Sequence, residues 1–141
     1  MATHAPLNLY FELQIDLFRG GGENDPGFDY LRTKPPRKDN QVFDMKFEEK
    51  SDTILDCKSG GLSLFEKPSA DRAYWWVVAA GTPLPPGFEV SQDLTDGKLE
   101  GHWTIRSTKN IHKDIWKETL REWAAKHAKR WTGSVEKRHR V

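Results

Sequence analysis

The fold class predicted by these 141 residues is α+β, and three patterns carry that reading. A period-two apolar run opens the chain. A strand, a tight turn and a hairpin occupy Tyr74 to Ile105. One long stripe of apolar residues at helical spacing follows near the C-terminal end.

Every odd position from Leu7 to Leu17 is apolar: Leu7, Leu9, Phe11, Leu13, Ile15 and Leu17. Successive side chains of a strand point to opposite faces, so this run predicts one half-buried strand ending in Leu17-Phe-Arg19 and three glycines. Residues 23–41 read as loop. Asp25-Pro-Gly27 is a turn, Phe28, Tyr30 and Leu31 pin a short helical turn, and Lys34-Pro-Pro-Arg-Lys-Asp-Asn40 is polar and broken by proline. Val42 to Cys57 holds two apolar clusters, Val42-Phe43-Met45-Phe47 and Ile54-Leu55, which read as a short strand or turn. After the break at Lys58-Ser-Gly-Gly61, Leu62-Ser-Leu-Phe65 starts another strand.

Tyr74-Trp-Trp-Val-Val78 is the most apolar strand candidate. In Thr82-Pro-Leu-Pro-Pro-Gly87 three prolines remove three N–H donors and stiffen the connection. Phe88 to Ser91 and Leu99 to Ile105 are expected to pair around Thr95-Asp96-Gly97, where Asp-Gly suits a hairpin tip. Alternation then puts Glu100, His102 and Thr104 on one face, with Trp103 and Ile105 on the other. From about Ile111 to Trp131, residues Ile111, Ile115, Trp116, Leu120, Trp123, Ala124, His127 and Trp131 form one helical stripe. Asn110 is its expected N-cap and Gly133 its stop. His127 reads as a packed or edge histidine rather than a ligand. Residues 1–134 read as one domain, and the basic tail 135–141 as disordered.

Composition sets the outer bounds. Hydrophobic content is low at 36%, offset by six Trp and seven Phe, which bury large areas per residue. The lone Cys57 forms no internal disulfide, and no Cys/His spacing suggests zinc. The early apolar residues are interrupted by Asn8, Glu12, Gln14 and Asp16, which argues against a secretory signal, and no run is long enough to span a bilayer. The expectation is a soluble, cytoplasmic protein with no membrane partner. Net charge is +1, but residues 109–141 carry ten Lys or Arg against four Asp or Glu, a local +6, which leaves −5 elsewhere. Such an end suits nucleic acid, an acidic partner or a membrane surface; it equally suits a solvated helix face.

Four groups could carry chemistry. Arg19 beside Gly20 offers a fork of donors next to backbone that a ligand can approach closely, which suits phosphate or carboxylate; a surface ion pair is the plainer alternative. Neither a dinucleotide-binding glycine fingerprint nor a P-loop is present. His102 offers an imidazole, the side chain suited to moving protons, and Glu100 shares its face. Ser63 is polar between apolar neighbours. A Ser63–His102–Asp93 hydrolase lacks the second glycine of a nucleophile elbow, since the segment reads Gly61-Leu-Ser-Leu-Phe65.

Gly81-Thr-Pro-Leu-Pro-Pro-Gly-Phe-Glu-Val-Ser-Gln-Asp93, followed by Lys98-Leu99 and His102-Trp-Thr-Ile105, resembles the ADP-ribosyltransferase-like type VI secretion effectors, the second of the exported effectors first described in bacteria. That family shares a G-T-x-[IL]-P-x-x-[LF]-x-V-x-x-D segment and an H-[YW]-T-I strand. Gly60-Gly-Leu-Ser-Leu-Phe65 is similar to its G-G-T-S-V-F segment, and Leu17-Phe-Arg19 to its L-Y-R strand. The likeness covers most of residues 7–131, is most specific from 81 to 105 and is weakest from 22 to 57.

The resemblance implies an ADP-ribosyltransferase-like fold of split β-sheets with a long C-terminal helix, and NAD bound as a substrate between the sheets. It implies that Arg19 and Gly20 hold a phosphate or ribose and that Ser63 supports the nicotinamide ribose. It also implies that His102, with Glu100 or Gln92, meets the ribose or the incoming nucleophile. Buried aromatic rings such as Trp75 would stack on the nicotinamide. Two departures stand out: Leu62 replaces a family Thr, and no Glu-x-Glu occurs on the last catalytic strand, so the usual acidic residue is unassigned. The expected function is a cytotoxic effector that transfers ADP-ribose to an intracellular target or hydrolyses NAD, with an immunity protein as its natural partner. The other class is a non-enzymatic module that binds nucleic acid or an acidic partner through the basic end.

Overall fold

The computed structural model describes residues 9–33, 44–93 and 101–133. Leu7, the apolar pair Val42-Phe43, the hairpin tip at Thr95-Asp96-Gly97, Glu100 and the tail 135–141 lie outside the described residues. Strands dominate and one helix accompanies them, so the chain is α+β.

Among the described residues the strands are β1 (Leu9–Tyr10), β2 (Leu17–Gly21), β3 (Ile54–Leu55), β4 (Leu62–Phe65), β5 (Tyr74–Val78), β6 (Phe88–Gln92), β7 (His102–Ser107), β8 (Ile111–His112) and β9 (Lys129–Arg130). The helix α1 is Lys113–His127. Seven strands form one antiparallel sheet in the order β1-β6-β7-β4-β2-β5-β9, and β3 pairs with β8 in a small ribbon. Pairing within the sheet is uneven. β2 matches β5 over five positions and β4 matches β7 over four, yet β2 and β4 share one paired position, Phe18 with Phe65. The sheet therefore opens between its two halves.

The expected strand from Leu7 to Leu17 is not one strand. Leu9 and Tyr10 pair with β6, Glu12 bridges to Pro83, and β2 begins only at Leu17. Between them Leu13 exchanges hydrogen bonds with Thr82 and Gly81, while Asp16 accepts from the Ala80 backbone. Three successive partners bend the chain, so alternation stops tracking burial: Leu13 and Leu17 are buried, but Leu9, Phe11 and Ile15 are exposed. The hairpin strands pair as the pattern predicts, with Val90 opposite Ile105 and Ser91 opposite Thr104.

The helix is shorter than its apolar stripe. His112, not Asn110, caps it, its Nδ1 accepting from the Asp114 backbone N–H at 3.1 Å. Asn110 instead ties two loops together: its Oδ1 accepts from Cys57 N and its Nδ2 donates to Glu48. At the other end α1 stops at His127, well before Gly133, because residues 129–130 pair with β5 as an edge strand. Trp131 leaves the helical stripe to pack edge-on against Phe18, and Ile115 is exposed. Trp116, Leu120, Trp123 and Ala124 bury the helix face against a core that includes Phe28, Leu62, Leu64, Phe88, Val90 and Ile105. A fully buried side chain of this size contributes about 1.5–3 kcal/mol, so the α1 face is a main source of cohesion. Among the described residues no helix is long and apolar enough to cross a membrane.

Candidate active site

Register decides which side chains meet. His102 pairs with Phe65 and Thr104 with Ser63, so all four side chains share one face of the sheet. The same face continues through Phe18, paired with Phe65, and through Gly20, paired with Trp75. Leu62, Leu64, Trp103 and Ile105 take the opposite face and fill the core. Where the sheet opens beside β2 and β4, a cleft of about 1000 Å³ is lined by Arg19, Gly20, Ser63, Trp75 and His102 among others. Five of the residues singled out from the sequence thus meet in one place.

Arg19 reaches this cleft from the other side of the sheet. Its neighbour Phe18 shares the face of Phe65, so Arg19 starts from the opposite face of the strand, yet its side chain lines the opening. There Nε donates to the Gly27 carbonyl at 2.7 Å, Nη1 to the Ser63 carbonyl at 2.9 Å and Nη2 to the Tyr30 carbonyl at 3.1 Å. Each nitrogen is committed to the backbone. Burial pulls the guanidinium down to about 10; Asp44 counters this and the charges of Arg32 and Arg72 add to it. Arg19 stays charged at neutral pH.

The glycines after it serve the protein's own packing. A Cβ on Gly21 would lie 2.5 Å from the Asp25 carbonyl, so the loop that carries Gly27 could not close under β2. A Cβ on Gly20 would lie 3.0 Å from Cγ of Arg72, whose stem crosses the cleft face of the strand at that point.

His102 is held by Asp93. Its Nδ1 lies 2.5 Å from Asp93 Oδ2, and the Thr104 hydroxyl donates to that same oxygen at 2.5 Å. Arg106 donates to the Ser91 hydroxyl, which in turn lies 3.4 Å from Asp93 Oδ1. Burial alone would raise the Asp93 carboxyl. The hydrogen bonds from His102 and Thr104, with the charges of His102 and Arg106, outweigh it and hold the group below its usual value. A carboxylate on Nδ1 favours the tautomer that carries its proton there, leaving the Nε2 lone pair of the neutral ring to act as a base. The Phe65 ring stands edge-on to the imidazole at 5.3 Å and limits its tilt.

Gln92 does not join this group. It pairs with Trp103, on the face opposite His102, and is absent from the cleft wall. The next residue, Asp93, stands beside the imidazole where the resemblance placed Gln92; Glu100, the alternative, lies outside the described residues. Ser63 lines the cleft with its hydroxyl making no hydrogen bond among the described residues, while its carbonyl is taken by Arg19. Trp75 is buried, donates Nε1–H to the Ser69 carbonyl at 2.7 Å and stands edge-on to Phe65.

Several cleft residues were not legible in advance, Glu66 and Arg72 among them. Glu66, one residue beyond β4, lines the cleft and accepts from the Trp103 indole N–H at 2.8 Å. Arg72, in the loop before β5, stands over Gly20. Neither sits in a pattern that singles it out along the chain. Among the described residues no group of three or more His, Cys, Asp or Glu is placed to hold a metal ion. Comparison of the chain with family models and with curated proteins finds no match.

Proposed function

We propose that this cleft binds NAD and cleaves the bond between nicotinamide and ribose, passing ADP-ribose to a protein target or to water, and that the protein is a toxin of the ADP-ribosyltransferase-like class. The observation that carries the reading is the meeting of Arg19, Ser63, Trp75 and His102 at the opening between β2 and β4.

The chemistry of the groups fits the reaction. Loss of nicotinamide develops positive charge on the ribose, and a nearby carboxylate lowers that barrier. Glu66 supplies a carboxylate in the cleft wall, in a chain without the usual Glu-x-Glu pair. His102, oriented by Asp93, is placed to take the proton of the attacking group. Trp75 and Phe65 give the cleft an aromatic floor against which a flat heterocycle can rest.

The test is nicotinamide release from NAD by the purified full chain, alongside His102→Ala and Glu66→Gln. Release that falls at least about 100-fold in His102→Ala, with folding intact by circular dichroism, supports the reading. Absence of release from wild-type protein, with and without a cell extract as acceptor, sinks it in favour of a non-enzymatic binding module.

A further inference from the structure

We propose that Arg72, rather than Arg19, is the residue that grips a diphosphate in this cleft. The identity of the ligand as a dinucleotide rests on the NAD reading above; the anion site itself does not.

Three guanidinium groups converge on the cleft, and their commitments differ. Arg19 donates one hydrogen bond from each nitrogen to a backbone carbonyl, so three of its five N–H groups are taken by the protein. Arg32 is spent on Asp44, with Nε and Nη2 on the two carboxylate oxygens at 3.2 and 3.0 Å. Arg72 is exposed and makes no ion pair among the described residues. Its stem lies across Gly20, where a Cβ would come within 3.0 Å of Cγ and 3.2 Å of Cδ. Gly20 faces the cleft beside Trp75. The glycine therefore gives the Arg72 stem a seat on β2, and the side chain forms part of the cleft wall.

Electrostatics point the same way. Asp44, itself paired with Arg32, favours the charge on Arg19, whereas the charges of Arg32 and Arg72 oppose it, so these cations repel one another across the cleft. An anion bound between them relieves that repulsion, and Arg72 is the guanidinium of the three that donates no hydrogen bond within the described residues. A planar guanidinium meets two phosphate oxygens at once, whereas an ammonium acts as a point charge. Arg72→Lys should therefore restore only part of what Arg72→Ala removes.

The experiment is calorimetric titration of the full chain with inorganic pyrophosphate at fixed ionic strength, for wild type, Arg72→Ala, Arg72→Lys and Lys67→Ala, Lys67 being another cation of the cleft wall. Gly20→Ala is a second route, since its Cβ displaces the Arg72 stem. Expected is a loss of about tenfold or more in pyrophosphate affinity for Arg72→Ala, partial recovery in Arg72→Lys, and an unchanged melting temperature. In nicotinamide release the same variant should raise KM for NAD with little change in kcat. Equal affinity in wild type and Arg72→Ala overturns the proposal while leaving the NAD reading intact. An equal loss in Lys67→Ala overturns it too, because a diffuse positive field would then suffice. Pyrophosphate binding that depends on Arg72 without any nicotinamide release upholds the anion site and removes NAD cleavage. Wild-type protein that binds neither pyrophosphate nor NAD overturns both.

Discussion

Nη1 of Arg19 donates to the Ser63 carbonyl at 2.9 Å, spanning the two strands at the place where the sheet opens. A side chain thus joins β2 to β4 beyond their shared Phe18–Phe65 pair, and the same guanidinium fastens the Gly27 and Tyr30 carbonyls below. Loss of activity in an Arg19 variant would consequently have two causes, since the cleft wall depends on it.

Arg19→Ala should destabilise the fold by about 1–3 kcal/mol, because partly buried carbonyls lose a charged donor. Arg19→Lys should rescue little of this, as an ammonium cannot reproduce the fork toward three diverging oxygens. Urea unfolding of the three proteins measures it. A full-stability Arg19→Ala would show that the three bonds are dispensable.

The Asp93–His102 contact carries a pH signature. The Asp93 carboxyl is depressed on folding, so its contribution is present above the usual carboxylate value of about 4 and is lost as pH falls through the lower folded value. Thermal melts between pH 7 and pH 2.5 should show a steeper acid limb in wild type than in Asp93→Asn. Parallel limbs would show that the network of Asp93, Thr104 and His102 does not favour the charged carboxylate.

Trp116 and Trp123 make a paired test of hydrogen bonding in the core. The Trp123 indole donates to the Pro83 carbonyl at 2.8 Å, whereas Nε1 of Trp116 is buried with no acceptor among the described residues. Replacement by Phe removes similar volume at both sites. Trp123→Phe should cost about 1 kcal/mol more than Trp116→Phe, as read by chemical denaturation, because only the first breaks a bond. Equal costs would indicate that packing alone sets both values.

Asn110 and His112 separate a loop latch from a helix cap. His112→Ala should lower α1 stability by about 1 kcal/mol through loss of its cap, with faster amide exchange in the first helical turn. Asn110→Ala should leave that turn protected and loosen the Cys57 and Glu48 segments, which it ties. Hydrogen exchange resolved by segment distinguishes the two. Loosening of the first turn in Asn110→Ala would restore Asn110 as the cap.

Residue chemistry and the family resemblance pointed to Arg19, Ser63, Trp75 and His102, whereas the amino-acid pattern by itself determined the α+β class, the β6–β7 pairing and the presence of the last helix. These follow from local periodicity: β6 and β7 each keep one partner along their shared ladder, so alternation maps faithfully onto faces. Where a segment changes partners that link fails. The described part of the Leu7–Leu17 run, residues 9–17, is divided among β6, the proline turn and β2, and of its odd positions only Leu13 and Leu17 reach the core. Trp131 likewise belongs to the helical stripe along the chain but to the sheet in space, because pairing of residues 129–130 with β5 overrides helix extension. Tertiary structure alone decided that Asp93 rather than Gln92 supports His102, that Arg19 spends its donors on the backbone, and that Glu66 and Arg72 enter the cleft. Each depends on strand register or on contacts between distant segments, which no spacing along the chain encodes.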